Sequence, residues 1–287
     1  MRVFVTGGAG FIGTHLCKKL ALLHKVTVYD NFSNSSQENF PTIGHVTLIV
    51  GDILDNSTLF DSMKNHDLVI HLAAKTDVIN SVSNPDDTFQ TNVQGTQNVL
   101  DSCNFNKISK IIVTSSASIY ENSENSVDEE STIKPLSPYG QSKLDMENII
   151  IKSKINYNIL RLFNVYGNGQ NHGVIVNFEK NISENKPLIV FGDGTSIRDF
   201  IHIDDVIDGV ILSIESESGI YNIASGTGTS INNLAKLLIK ISGKNSEIIY
   251  KSPRKGEIIY SVSNITKSQR DLGFSPKISL INGLNPL

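Results

Sequence analysis

The chain has 287 residues, 39% hydrophobic and 19% charged, with a formal net charge of -4. That length supports one large domain or two smaller ones around a substantial core, and the slightly acidic balance excludes a surface built to hold nucleic acid. No apolar run approaches the roughly 20 residues a bilayer-spanning helix needs, and Cys17 and Cys103 lie outside any CxxC or clustered Cys/His spacing that would hold a metal.

Arg2 to Thr6 (RVFVT) reads as a buried strand. It passes directly into glycine-loop chemistry, which is not the pattern of a cleavable leader, so a cytoplasmic protein is expected. The run TGGAGFIG then places Gly7, Gly10 and Gly13 between this strand and a helix predicted over 11–24. One glycine makes the tight turn, one lets the backbone approach a pyrophosphate, and one allows close helix–strand packing. Phe11, Ile12 and Gly13 open the helix, where free N–H groups and the positive dipole end face the phosphates. The spacing from Gly8 to Thr14 is that of a P-loop, but no Lys precedes the Thr.

The second strand, Lys25 to Tyr29 (KVTVY), runs into Asp30 and Asn31. Asp30 lies about 20 residues beyond the central glycine, where a carboxylate accepts from the adenosine ribose hydroxyls. It would repel a 2′-phosphate and no Arg follows it, so NAD is favoured over NADP. Val46–Val50, Asp67–His71 and Lys110–Thr114 are further apolar strands, with a helix predicted over 88–103. This alternation predicts an α/β fold with a doubly wound parallel sheet. Asn122 to Ser131 is polar and acidic and reads as a solvated surface loop.

Past residue 160 the pattern loosens. Asn164–Gly173 and Gly192–Ser196 read as loops, with helices predicted over 174–184, 202–214 and 230–241. The expected division is a dinucleotide-binding domain over 1–163, with a return segment near 200–225. Residues 164–287 then form mainly a smaller, discontinuous substrate-binding lobe.

In SPYGQSK, Tyr139 and Lys143 are four residues apart and share one face of a helix. A Lys ammonium there, with the positive nicotinamide nearby, is expected to lower the Tyr pKa from about 10 toward neutrality. The phenolate then takes a proton from a sugar hydroxyl as a hydride leaves carbon. Upstream, the fifth strand ends in TSSASIY, with hydroxyls suited to hold the reacting oxygen.

With these motifs the chain resembles the extended short-chain dehydrogenase/reductase family, in its NAD-dependent epimerase/dehydratase group, and most closely the UDP-hexose 4-epimerase branch. The resemblance spans nearly the whole chain, from TGGAGFIG and YDN through GDI (51–53), HLAA (71–74), NVQGT (92–96), SPYGQSK, RLFNVYG, VFGDG and RDFIHIDD to PRKGE. It implies that Asp52 and Ile53 lie by the adenine, that Leu72, Ala73 and Ala74 line the cofactor groove, and that Asn92 sits beside the dinucleotide. It makes Tyr139 the general base and Lys143 its partner on the nicotinamide ribose, with Ser116 on the substrate 4-oxygen. On the substrate side it implies Asn164 at the sugar diphosphate, Phe191 near the nucleobase, and Arg198 and Arg254 clamping the diphosphate. A guanidinium suits that role because it is planar and permanently charged. A homodimer paired through the helices near 88–103 and 137–151 is implied as well.

The 4,6-dehydratases of this family carry an Asp-Glu pair at the end of the fifth strand, and the decarboxylases a Glu. Here Ala117 and Ser118 stand there instead. The remaining Ser–Tyr–Lys set is what reversible hydride transfer needs, so interconversion of the C4 epimers of a UDP-hexose is expected. Ser261 stands where a bulky residue in some members excludes N-acetylated sugars, which implies an open pocket. Two positions depart from the family pattern: Glu121 replaces a usual Gly, and the chain ends at LINGLNPL where a last helix usually begins. Other readings of the same residues are a uronate epimerase, a nucleotide-sugar reductase, or a non-catalytic NAD-sensing module, which would need none of Ser116, Tyr139 and Lys143.

Overall fold

A computed structural model describes residues 1–41, 44–253 and 258–284. The first half alternates β1 (Arg2–Thr6), α1 (Phe11–Leu20), β2 (Lys25–Asp30), β3 (Val46–Val50), α2 (Asn56–Ser62), β4 (Leu68–His71), α3 (Val78–Ser83), α4 (Pro85–Phe89), α5 (Gly95–Phe105), β5 (Lys110–Ser116), α6 (Pro138–Lys152) and β6 (Asn156–Leu162). The second half holds β7 (Asn164–Tyr166), α7 (Val174–Ser183), β8 (Leu188–Phe191), β9 (Ile197–His202), α8 (Ile203–Leu212), β10 (Gly219–Ile223), β11 (Gly228–Ser230), α9 (Ile231–Ser242), β12 (Ile248–Lys251), β13 (Tyr260–Ser261), α10 (Thr266–Leu272) and α11 (Leu280–Leu284).

Seven strands form one sheet in the order β10-β6-β5-β4-β1-β2-β3. In its centre β1 pairs in parallel with β2 and β4, β2 with β3, and β4 with β5. All four residues of β4 and the last four of β1 are buried, which explains why these strands carry Val and Ile almost without a break. The expected doubly wound α/β sheet is therefore the observed one. Strand order reverses between β1 and β4, and the crevice beyond their C-terminal ends is where such sheets bind ligands.

The chain divides into two compact units. The first comprises residues 1–119, 135–161 and 210–221, and the second 120–134, 162–209 and 222–287. Within the first, the helices pack on the sheet through Leu59, Met63, Val99, Leu100, Cys103, Met146 and Ile150, all at most 2% exposed. At about 25 cal/mol per Å² of apolar surface, such side chains contribute about 1.5–3 kcal/mol each. The second unit has its own core, including Phe178, Leu188, Val190, Phe200, Leu234 and Leu238. That core lies between α7, α9 and a small sheet in which β9 pairs with β7, β11 and β13.

Three expectations are corrected. The helix expected over 88–103 is two helices, α4 and α5, joined by a π-helical turn at Gln90–Gln94. Asn164–Tyr166 is a strand and not a loop, because it pairs in parallel with Phe200–His202. The segment 122–131 is not wholly solvated: Val127 and Glu129 are buried, Val127 exchanges backbone hydrogen bonds with Val262 and Asn264, and Glu129 accepts from the Asn222 amide at 2.6 Å.

Candidate active site

The glycine loop is shaped for close backbone approach. Gly7 has φ +69°, and a Cβ there would lie 2.5 Å from the Ala73 nitrogen. A Cβ on Gly13 would collide with the Gly7 carbonyl, so only hydrogen fits where α1 meets the loop. Gly10 caps α1 without a side-chain acceptor. The first-turn N–H groups of Phe11, Ile12 and Gly13 are thus of the kind that a phosphate satisfies. At the end of β2, Asp30 accepts from Ala9 N–H at 2.9 Å and Phe32 N–H at 2.8 Å, which holds the carboxylate beside the loop. Asn31 Nδ2 donates to Asp52 Oδ2 at 2.9 Å, while Asp52 Oδ1 accepts from Leu54 N–H. Asp30 and Asn31 at the end of β2 thus stand beside Asp52 just after β3, with Leu72–Ala74 beyond β4, while Ile53 packs in the core against Gly95 of α5. The residues present fit a dinucleotide.

Asn92 lies in the π-turn and is 1% exposed. Its amide accepts from Lys75 N–H at 2.8 Å, donates back to Lys75 O at 3.0 Å, and donates to Ser142 Oγ at 2.9 Å. The one-residue widening of the helix frees this side chain to span from the end of β4 to α6.

Helix α6 starts with Ser137, whose hydroxyl accepts from Gly140 N–H, followed by Pro138 at the first helical position. This start fixes Tyr139 in the first turn and Lys143 in the second. The Tyr139 phenol is hydrogen-bonded to Ser116 at the end of β5. Ser116 Oγ also lies 3.1 Å from Ser118 Oγ and accepts from Ser118 N–H at 3.1 Å. Lys143 Nζ donates to the Thr114 carbonyl at 2.9 Å. Burial holds the Tyr139 phenol above its ordinary pKa, and the Ser116 hydrogen bond opposes this in part. The expected fall toward neutrality is thus not produced by the protein's own groups; it calls for the positive charge that a bound nicotinamide carries. Burial lowers Lys143 to about 8, against the opposing field of Glu147.

Glu147, one turn beyond Lys143, is 1% exposed and takes a two-pronged contact from Arg161 of β6, Nε to Oε1 at 3.1 Å and Nη2 to Oε2 at 2.8 Å. This pair fixes α6 on the sheet. Sequence reasoning gave neither residue a role, although Glu147 stands at the same i+4 spacing from Lys143 as Lys143 does from Tyr139.

In the second unit Arg198 lies on β9, with Ser261 of β13 as its cross-strand neighbour on one side and Thr229 of β11 on the other. Asn164 faces Phe200 across the β7–β9 pair and donates from Nδ2 to the Asp199 carbonyl at 2.9 Å. Asn164, Arg198 and Ser261 are thus gathered on one small sheet. Phe191 stands apart, at the end of β8 opposite Lys251. Arg254 lies outside the described residues. Sequence reasoning missed Asp199: its buried carboxylate accepts from Ser225 N–H and Oγ–H, Gly226 N–H and Ser263 N–H. One residue so joins the segments beside Asn164, Arg198 and Ser261.

These features are those of a dinucleotide-dependent enzyme. The sequence profile of the NAD dependent epimerase/dehydratase family matches residues 3–224, and the chain belongs to that family. It is 37% identical to a putative UDP-glucose 4-epimerase of Methanocaldococcus jannaschii over 98% of this chain and 95% of that one. Its fold matches the UDP-glucose 4-epimerase of Thermotoga maritima, solved with UDP-glucose, with a TM-score of 0.95 at 33% identity, covering 99% and 96% of the two chains. It also matches a mutant UDP-glucuronic acid 4-epimerase of Bacillus cereus, held with a fluorinated UDP-glucuronic acid and NAD, with a TM-score of 0.94 at 32% identity, covering 99% and 97%.

Proposed function

We propose that this chain is an NAD-dependent UDP-hexose 4-epimerase. The observation that carries the reading is the Ser116–Tyr139–Lys143 set at the mouth of β5, with Ala117 and Ser118 where an eliminating enzyme needs acids. Bound NAD supplies a hydride acceptor at C4 and, once reduced, the donor for the return. Gly7, Gly10, Phe11, Ile12, Gly13, Asp30, Asn31, Asp52, Ile53, Leu72–Ala74 and Asn92 hold it, and Lys143 reaches its ribose.

The chain's own part is proton handling and anchoring. Tyr139 takes the proton of the C4 hydroxyl and gives it back after the sugar has turned. Ser116 holds the 4-oxygen through both halves. Asn164, Arg198 and Arg254 keep the diphosphate fixed while the sugar rotates, and Phe191 packs on the base. Ser261, a small residue beside Arg198, leaves room for a 2-acetamido group, so the N-acetylhexosamine pair is accepted as well. The enzyme is cytoplasmic, consistent with two buried, unpaired thiols. It works as a homodimer, a reading supported by the exposed Val78, Ile79, Val82 and Phe89 on α3 and α4.

The test is incubation with UDP-galactose, UDP-N-acetylgalactosamine and UDP-glucuronic acid without added NAD, with the C4 epimers resolved by NMR. Conversion of the first two, abolished in Tyr139→Phe, supports the reading; conversion of the uronate alone replaces it with the uronate epimerase. A Ser261→Tyr variant is expected to lose the N-acetylated substrate and keep UDP-galactose. Full activity on both sinks the gatekeeper assignment.

A further inference from the structure

His71 closes β4 and is 2% exposed, between Thr6 and Thr96, which are fully buried. Its Nδ1 lies 2.6 Å from Thr6 Oγ1 and its Nε2 lies 2.9 Å from Thr96 Oγ1. Thr96 Oγ1 donates at 2.6 Å to the Asn92 carbonyl. Its one proton is thereby committed, so toward His71 it accepts, and Nε2 carries the imidazole proton. Nδ1 is then the acceptor and Thr6 the donor, while Thr6 Oγ1 accepts from Ala73 N–H at 3.4 Å. The result is a row with one direction: Ala73 N–H to Thr6, to His71, to Thr96, to Asn92 C=O. Only a neutral ring completes it, since an imidazolium donates at both nitrogens and would drive Thr6 to accept twice. Burial lowers His71 to about 3, and the positive charge of Lys143 acts in the same direction.

Both ends of the row lie at the cofactor groove. The Ala73 amide is the group against which Gly7 is packed. The Asn92 carbonyl belongs to the π-turn whose side chain grips Ser142, and Ser142 Oγ donates to the Tyr139 carbonyl at 2.8 Å. We propose that neutral His71, as its Nε2–H tautomer, is a positioning residue that couples the pyrophosphate loop at Gly7 to the Asn92–Ser142 contact beneath Tyr139 and Lys143. The inference rests on the groove being the NAD site and needs no particular sugar substrate. A histidine that merely fills the core would affect stability alone.

The experiment uses holoprotein with ¹⁵N-labelled histidine, alongside Thr96→Val, Thr6→Val, His71→Gln and His71→Phe. Long-range ¹H–¹⁵N spectra are expected to show one ring that stays Nε2–H from about pH 5 to 9 and vanishes in His71→Gln. Thr96→Val removes the acceptor at near-constant volume. It is expected to release NAD about tenfold faster, the range a lost buried hydrogen bond gives, with UDP affinity within about twofold of wild type. Thr6→Val should do the same. Gln places an acceptor and a donor at about the spacing of the two ring nitrogens, so His71→Gln should retain NAD far better than His71→Phe. A His71 ring that is Nδ1–H or protonated at pH 7 overturns the proposal. So does wild-type NAD retention in both Thr variants, or a parallel fall in NAD and UDP affinity that tracks lost thermal stability. None of these measurements uses epimerase activity, so failure of the sugar assignment is read separately.

Discussion

The Lys143 ammonium donates to the Thr114 carbonyl at 2.9 Å, two residues before Ser116 on the same strand. The second residue of the Tyr–Lys pair is therefore tethered to the strand that carries Ser116, and Ser116 is itself hydrogen-bonded to Tyr139. The three groups form a closed frame between β5 and α6.

Ser116→Ala removes the one hydrogen bond that favours the Tyr139 phenolate. The Tyr139 pKa should rise, and the ascending limb of the kcat–pH profile should move to higher pH. At pH 7, kcat should fall by about 10²-fold, within the range for loss of acid–base assistance, and recover in part at pH 9. A profile unchanged in position would remove Ser116 from proton control.

Lys143 is lowered to about 8 by burial, against 10.5 for an unfolded lysine. Between those values the unfolded chain binds the extra proton, so this group makes stability rise with pH from about 8 to 10.5. Lys143→Met should flatten that stretch of the urea-unfolding stability curve. If wild type and variant run parallel there, the lysine is not desolvated as described.

His71 carries the same sign at lower pH. Its folded value of about 3 lies below the 6.5 of an unfolded histidine, so the unfolded chain binds more protons across that window. The stability it contributes is complete above pH 6.5 and drains away as pH falls toward 3, by at most about 1.4 kcal/mol per pH unit. His71→Gln should unfold with a shallower acid dependence between pH 6.5 and 4. Equal slopes would contradict a neutral buried ring.

Removing one partner of the Glu147–Arg161 pair leaves a charge buried on β6 or α6. Glu147→Gln should cost about 3–5 kcal/mol in urea unfolding, while the double change Glu147→Met with Arg161→Met should recover most of it. A double variant as unstable as the single one would mean that the pair contributes specific attraction beyond mutual neutralisation.

How far the sequence discloses all this depends on whether a feature is set locally. The Gly7–Gly13 loop, the Val- and Ile-rich strands and the Tyr139–Lys143 spacing are dictated by sterics and period within a dozen residues, and they are legible. The π-turn at 90–94 is not, because it exists for contacts that Asn92 makes with Lys75 and Ser142, 17 and 50 residues away. The burial of 127–129 depends on Val262 and Asn222, and β7 on a partner strand more than 30 residues later. Asp199 hides in the same way: its acceptors are filled by Ser225, Gly226 and Ser263, which no local pattern announces. The spacing of Tyr139 and Lys143 is legible, whereas the burial that holds the phenol above its ordinary pKa is not.

The edge position of β10 has a consequence for how the chain is made. Lys110, at the start of β5, donates to the carbonyls of Ser213, Ile214 and Ser216, and Asn158 of β6 donates to Ser216 Oγ and the Glu217 carbonyl. These acceptors follow Lys110 by 103 to 106 residues and Asn158 by 58 or 59 residues. A nascent chain leaving the ribosome (five to twenty residues each second) therefore holds β6 as an open edge for several seconds before its last neighbour arrives. Ribosome-stalled chains ending near residue 205 should be cut by protease around β6, and the released full chain should resist.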